Sequence, residues 1–246
     1  MQPVYKKTYQ IETIHTDCFG ALKPSVLLYF VQEASAMHSD LLGTGAGILA
    51  EKDLFWAVIR HRVQITRLPR LGETITVQTW PMPTTRTAYP RSVVAYDGQG
   101  NEVFRAVALW VLMSMHSRSL ILPAKSGVQV NGTLLGSELS LPGSILPKAL
   151  ENSRARTVCY TDLDANGHMN NTRYLDWVCD LFGSQFHQSH PLKEFTVCYL
   201  TEAREGQKLT LSWQQTGDGV LQVEGIAQTP DVSASHTRVF AVQMLF

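Results

Sequence analysis

The residues best suited to chemistry lie in "DLDANGHMNNTR", positions 162–173. Asp162, Asp164 and Asn166 match positions one, three and five of a calcium loop, with Gly167 at six and Met169 at eight. The match fails at position twelve. There Arg173 stands where the ion needs a bidentate Glu, and the preceding "RARTVCY" alternates like a strand instead of a helix. A second metal reading takes Asp164, His168 and Asn166 as ligands, but no further His or carboxylate follows at helical spacing. An Asx-rich turn explains Asn170 or Asn171 as the N-cap of a following helix. It does not explain Asp164, Asn166 and His168 at alternate positions. In an extended segment alternate side chains face one way, so these three converge ahead of a helix N-terminus, whose N–H groups suit a developing negative charge. An acid–base group, an amide donor and a backbone oxyanion trap make an acyl-transfer site.

Such a site needs a scaffold. "ETITVQTW" alternates as a strand, with Ile75 and Val77 on one face. The turn signal "DGQG" leads into a long apolar run, "EVFRAVALWVLMSM". Pro24 suits a first helical position, after which Leu27, Phe30, Val31 and Ala34 share a face. Residues 123–153 are rich in Pro, Gly and Ser and read as a linker. After it the order restarts: "RARTVCYT" as a strand, "NNTRYLDWVCDLF" as a helix, then four strands. The expected division is 1–122, a linker at 123–153, and 154–246. An offset of 145 overlays Thr16, Asp17 and Tyr29 on Thr161, Asp162 and Tyr174; an offset of 134 overlays "RLGETITV" on "REGQKLTL". Together they suggest an internal repeat of a helix followed by antiparallel strands, an α+β layer.

The composition suits a globular chain, with 246 residues, 44% hydrophobic and 17% charged. Lys plus Arg and Asp plus Glu are equal at 21 each, so no global basic field draws nucleic acid or an acidic membrane. No apolar run approaches the ~20 residues of a bilayer span, and "MQPVYKKTYQ" lacks the apolar core of a signal peptide. A cytoplasmic compartment is expected. Cys18, Cys159, Cys179 and Cys198 lack CxxC spacing and read as buried thiols in a reducing cytosol. The five tryptophans read as core. "RHR" (Arg60, His61, Arg62) reads as a solvated face.

"DLDANGHMNNTRYLDW" resembles the active-site segment of the acyl-acyl carrier protein thioesterases of plants and bacteria, D-x-N-x-H followed by x-N-N and an aromatic helix. "FWAVIRHRVQITRLPRLGETITVQTW", "RAVALWVLMSMHSRSLILP" and "FTVCYLTEAREGQ" look like other strands of that family. The resemblance implies a tandem (double) hotdog, two long helices each wrapped by an antiparallel sheet. It places the catalytic set on Asp164, Asn166, His168 and Glu202, with no cofactor or metal. Some members carry a Cys directly after the Glu; here it is Ala203, which excludes a Cys–His pair at that position. Under the offsets above, Phe19, Ala21 and Lys23 replace Asp164, Asn166 and His168, and Leu68 replaces Glu202. The family resemblance therefore assigns the acyl chain to the first half, whose apolar lining suits it at ~0.8 kcal/mol per buried CH₂. The implied reaction is hydrolysis of fatty acyl-acyl carrier protein to free fatty acid, ending chain elongation. Asp164 either orients the network or itself attacks. An acyl-CoA thioesterase and a non-catalytic acyl-binding module are the alternatives, and a homodimer is an open option. Arg154, Arg156 and Arg173 are the candidate contacts to an acidic carrier.

Overall fold

The computed structural model describes residues 3–217, 219–228 and 236–246. The chain forms two compact units, Met1–Pro142 and Gly143–Phe246.

In the first unit β1 (Tyr5–Gln10) leads through a 3-10 turn into α1 (Pro24–Leu41). Pro24 occupies the first helical turn, where its missing N–H costs nothing. Leu27, Phe30, Val31 and Ala34 form one fully buried face. The helix stops as Gly43 takes a φ of 72°, a left-handed exit. Then follow α2 (Ala46–Ala50), β2 (Leu54–Ile65), β3 (Thr74–Pro81), β4 (Tyr89–Tyr96), β5 (Glu102–Ser114), β6 (Leu120–Ile121) and α3 (Pro123–Ser126). The strands are antiparallel in the order β1-β3-β4-β5-β2, with β6 on β5. Ile75 and Val77 of β3 are buried, as their alternation requires. α1 packs on β3 and β1, with Tyr9 stacked on Phe30 at 4.2 Å.

The second unit contains β7 (Asn152–Thr157), a 3-10 turn, α4 (Arg173–Cys179), α5 (Ser184–Ser189), β8 (Glu194–Tyr199), β9 (Lys208–Gln215), β10 (Val220–Gln228) and β11 (His236–Leu245). Its antiparallel order is β7-β9-β10-β11-β8, the first unit's order repeated. Each unit is thus a hotdog, but only the first has the expected long helix. α4 is 7 residues where α1 is 18. The amides of Leu181 and Phe182 bond three residues back, to Val178 and Cys179, which tightens the last turn. Gly183 then leaves the helix at φ −77°, ψ 166°.

The Pro/Gly/Ser-rich stretch lies against its neighbours. Residues 128–142 form an arm on the first unit, where Val128 and Leu139 are buried. Arg105 donates to the Ser137 carbonyl at 2.7 Å, Trp80 to the Glu138 carboxylate at 3.1 Å and Arg60 to the Pro142 carbonyl at 3.3 Å. A Cβ at Gly132 would sit 2.0 Å from the Met82 carbonyl oxygen, so only glycine fits. Residues 143–148 lie on the second unit. Buried Glu224 accepts the Lys148 amide at 3.2 Å and pairs with Arg238 at 2.8 Å.

The "RHR" cluster is not uniformly solvated. β2 alternation turns His61 into the core at 0% exposure, while Arg60 and Arg62 reach out to the arm. Burial lowers the His61 pKa to about 3. Among the described residues, no helix is long and apolar enough to cross a membrane.

Candidate active site

Asp164, Asn166 and His168 sit on a closed turn, not on an extended segment. Leu163 and Met169 form a bridge, the Asp164 amide donates to the His168 carbonyl at 2.8 Å, and the Gly167 amide to the Asp164 carbonyl at 3.0 Å. Gly167 makes the reversal possible at a φ of 73°. The Asp164 carboxylate folds back on this turn, where one oxygen accepts the Asn166 amide at 2.8 Å and the His168 amide at 3.3 Å. The backbone donors expected around Gly167 are therefore consumed by the turn itself. The Asn166 side chain is exposed and makes no hydrogen bond among the described residues, so its amide is a donor available to a ligand.

Glu202 reaches the same place from the loop after β8. Leu200 and Thr201 donate to the Val239 carbonyl, and the Ala203 carbonyl accepts the Met169 amide at 2.8 Å. His168 bridges Arg204 on the same edge. These bonds set the His168 Nε2 3.2 Å from a Glu202 carboxylate oxygen, with the imidazole mostly covered and the carboxylate 43% exposed. A half-covered carboxylate facing an imidazole can hold a water and take its proton.

Two residues that sequence reasoning left aside support this pair. Asp162 is 3% exposed. One of its oxygens accepts the Cys159 amide at 3.0 Å; the other accepts Arg173 at 3.4 Å and the Trp177 indole at 3.3 Å. Its carbonyl takes the Asn170 amide at 2.8 Å, so it ties α4 to the turn. Oxygens that a calcium loop would turn onto an ion are committed here to N–H donors. The Asx spacing "DLDANGHMNN" carried that signal. Tyr174 is buried near both carboxylates. Burial first, then the Glu202 and Asp164 charges, push its pKa up, so it remains a phenol.

The repeat is real, but its first offset is 147, not 145. Asp17 donates its amide to the Ala21 carbonyl, and its carboxylate accepts the Phe19 and Ala21 amides at 2.9 and 3.0 Å; Gly20 has a φ of 71°. Asp17 therefore matches Asp164, Phe19 matches Asn166, and Ala21 matches His168. The 145 overlay paired Asp17 with the wrong aspartate of "DLD". The 134 offset agrees with the hydrogen bonds. Leu22 donates to Pro69 as Met169 does to Ala203, so Leu68 holds the position that Glu202 holds in the second unit.

The three arginines behave differently. Arg173 is engaged by Asp162 and Asp176, and Arg156 pairs with Asp180 at 2.7 Å and covers the Trp177 ring. Arg154 is exposed and meets only the Asp180 carbonyl, at 3.1 Å, among the described residues. In the first unit, a mostly apolar cavity of about 210 Å³ lies beside the C-terminal end of α1, lined by residues that include Ala36, Trp56, Tyr89 and Trp110.

A family model described as the acyl-ACP thioesterase N-terminal domain matches residues 2–122, and one for the C-terminal domain matches 147–237. A palmitoyl-acyl carrier protein thioesterase, chloroplastic, of Gossypium hirsutum is 27% identical over 215 residues, 81% of this chain and 52% of that protein. A dodecanoyl-[acyl-carrier-protein] hydrolase, chloroplastic, of Umbellularia californica is 25% identical over 248 residues, 90% of this chain and 64% of that protein. The chain thus spans about half to two thirds of the length of these relatives. Among solved structures, an acyl-ACP thioesterase from Bacteroides thetaiotaomicron shares the fold at TM-score 0.88 and 22% identity, covering 99% of this chain and 97% of that one. The 12:0-ACP thioesterase of Umbellularia californica does so at TM-score 0.81 and 21% identity, covering 100% and 97%.

Proposed function

The chain belongs to the acyl-ACP thioesterase family, and from that premise we propose that it hydrolyses fatty acyl-acyl carrier protein to free fatty acid and carrier thiol. The observation that carries this reading is the His168–Glu202 pair, 3.2 Å apart beside a free side-chain amide on Asn166. Water held by the pair attacks the thioester carbonyl and gives up its proton to it. The Asn166 amide stabilises the oxyanion, and the proton is returned to the departing thiolate. Asp164 shapes the turn that carries Asn166 and His168; its carboxylate is already engaged by two backbone amides. The step needs no cofactor. The first unit holds the acyl chain, and the cavity near α1 supports that assignment.

We place the reaction in a reducing, cytoplasmic setting, in keeping with four scattered cysteines without CxxC spacing. Recognition of an acidic carrier falls to Arg154, whose charge meets no carboxylate among the described residues. The test compares one acyl group on carrier protein and on CoA. Preference for the carrier, with Arg154→Glu raising KM for that substrate alone, supports the reading. Equal losses on both substrates remove Arg154 from docking, CoA preference makes the chain an acyl-CoA thioesterase, and binding without turnover makes it an acyl-binding module. Light scattering of the same preparation distinguishes monomer from homodimer.

A further inference from the structure

The cavity of the first unit is not uniformly apolar. Arg91, on β4, lines it at 6% exposure. Its guanidinium contacts His38 Nδ1 at 3.0 Å, Thr79 Oγ1 at 3.4 Å and Ser39 Oγ at 3.4 Å. These are neutral acceptors and, among the described residues, no carboxylate lies within ion-pairing distance. Five N–H donors on a guanidinium exceed three contacts, so donor capacity remains at the cavity wall. Burial of this charge lowers the Arg91 pKa to about 10.

A second donor lines the same cavity. Trp110 Nε1 is buried and has no hydrogen-bond partner among the described residues. Trp56, across the cavity lining, shows the contrast: its indole N–H donates to the Thr44 carbonyl at 2.8 Å. Native folds seldom leave a buried indole N–H bare. One bare indole N–H and the spare N–H groups of Arg91 on one lining call for an acceptor that the described residues do not supply. Asp40 is exposed on the same lining and disfavours a second carboxylate.

We infer that this cavity takes an acyl chain bearing an uncharged oxygen substituent, a hydroxyl or a keto group, which accepts from Arg91 and the Trp110 indole. This deepens the thioesterase reading and rests on it. A plain alkyl chain would leave the Trp110 indole N–H without a partner and the remaining Arg91 N–H groups unused, whereas an oxygenated chain satisfies them. Sites built to hydrogen-bond a substrate group discriminate strongly against analogues that lack it.

The test is a series of acyl-carrier thioesters of one length, unsubstituted or with a hydroxyl or keto group moved stepwise along the chain. The expected result is a kcat/KM for the best oxygenated chain about 10-fold or more above that of the plain chain, the scale of one hydrogen bond to a charged group. Trp110→Phe, which keeps the ring and loses the N–H, should pull that ratio towards unity, and Arg91→Met should do so more strongly. Arg91→Lys should restore part of the preference, which separates donor loss from misfolding of the Met variant. Equal rates for plain and oxygenated chains at every position, or a ratio untouched by Trp110→Phe, would overturn the inference and leave the thioesterase reading intact. If no thioester turns over, that reading fails on its own. Calorimetric binding of the same chains as amides, with NH in place of the thioester sulfur, then decides the cavity assignment: tighter binding of oxygenated amides, lost in Trp110→Phe, upholds it, and equal binding ends it.

Discussion

Asp17 and Asp164 make the same bonds in the two halves, each carboxylate accepting the amides two and four residues on and each followed by a left-handed glycine. What differs is the cargo. The first half presents Phe19, Ala21 and Leu68 where the second presents Asn166, His168 and Glu202. An aspartate kept by the half without the acid–base set is a shaper of the turn before it is a reactant. On the function proposed above, the chemistry falls to the three positions that differ.

The largest expected effect tests that division. His168→Ala should lower kcat by ~100-fold or more with an unchanged melting temperature, and Glu202→Ala should match it, the scale of losing a positioned acid–base group. Calorimetry beside the assay separates chemistry from unfolding. Next comes the pair of aspartates. Asp164→Ala should lose both activity and about 1 kcal/mol of stability, as local side-chain caps do; Asp17→Ala should lose only the stability. Asp164→Asn keeps an oxygen for the two amides, so it should retain most of the turnover lost by the Ala variant. A silent Asp164→Asn enzyme with normal stability would restore the aspartate as nucleophile.

A third comparison concerns acid. His61 in β2 corresponds to Phe195 in β8, 134 residues on, and both are buried. Folded His61 stays neutral down to about pH 3, whereas the unfolded side chain protonates below its usual ~6.5. The unfolded state therefore binds the extra proton, and stability falls as pH drops between those values. At pH 5 the loss is about 2 kcal/mol. His61→Phe, which copies the second half, should flatten that slope in denaturant titrations; an unchanged slope would assign acid sensitivity elsewhere. The smallest effect is expected from the thiols. The expectation of buried thiols holds for Cys198 alone: Cys18 and Cys159 are exposed and Cys179 is half-buried. A variant lacking all four should keep kcat within a few-fold, and an inactive but folded one would return a thiol to the mechanism.

Much of the scaffold was legible because burial writes itself as period. Ile75 and Val77 alternated, and Leu27, Phe30, Val31 and Ala34 followed a helix. Pro24 marked its start. The turn was harder. A single glycine φ converts an extended reading of 164–168 into a reversal, and no periodicity reports it. The overlay failed for a similar reason: "DLD" offers two aspartates, and only their hydrogen bonds tell which one repeats Asp17. His61 was misplaced because two arginines hid its period-two phase. The cavity donors were illegible, since whether an indole N–H finds a partner depends on residues far away in sequence, Thr44 for Trp56 and none described for Trp110.

The arm over the first unit changes how the chain meets a protease. Some fifteen residues without regular structure would ordinarily be the first place to be cut, because a protease must draw such a segment extended into its cleft. Here the segment is held by Arg105, Trp80 and Arg60 and fits against Met82 only through Gly132. Cleavage between 128 and 142 must wait for the arm to lift, so the rate of nicking there reports a local opening rather than global unfolding. A bulky residue at Gly132 would turn a resistant strap into a cutting site.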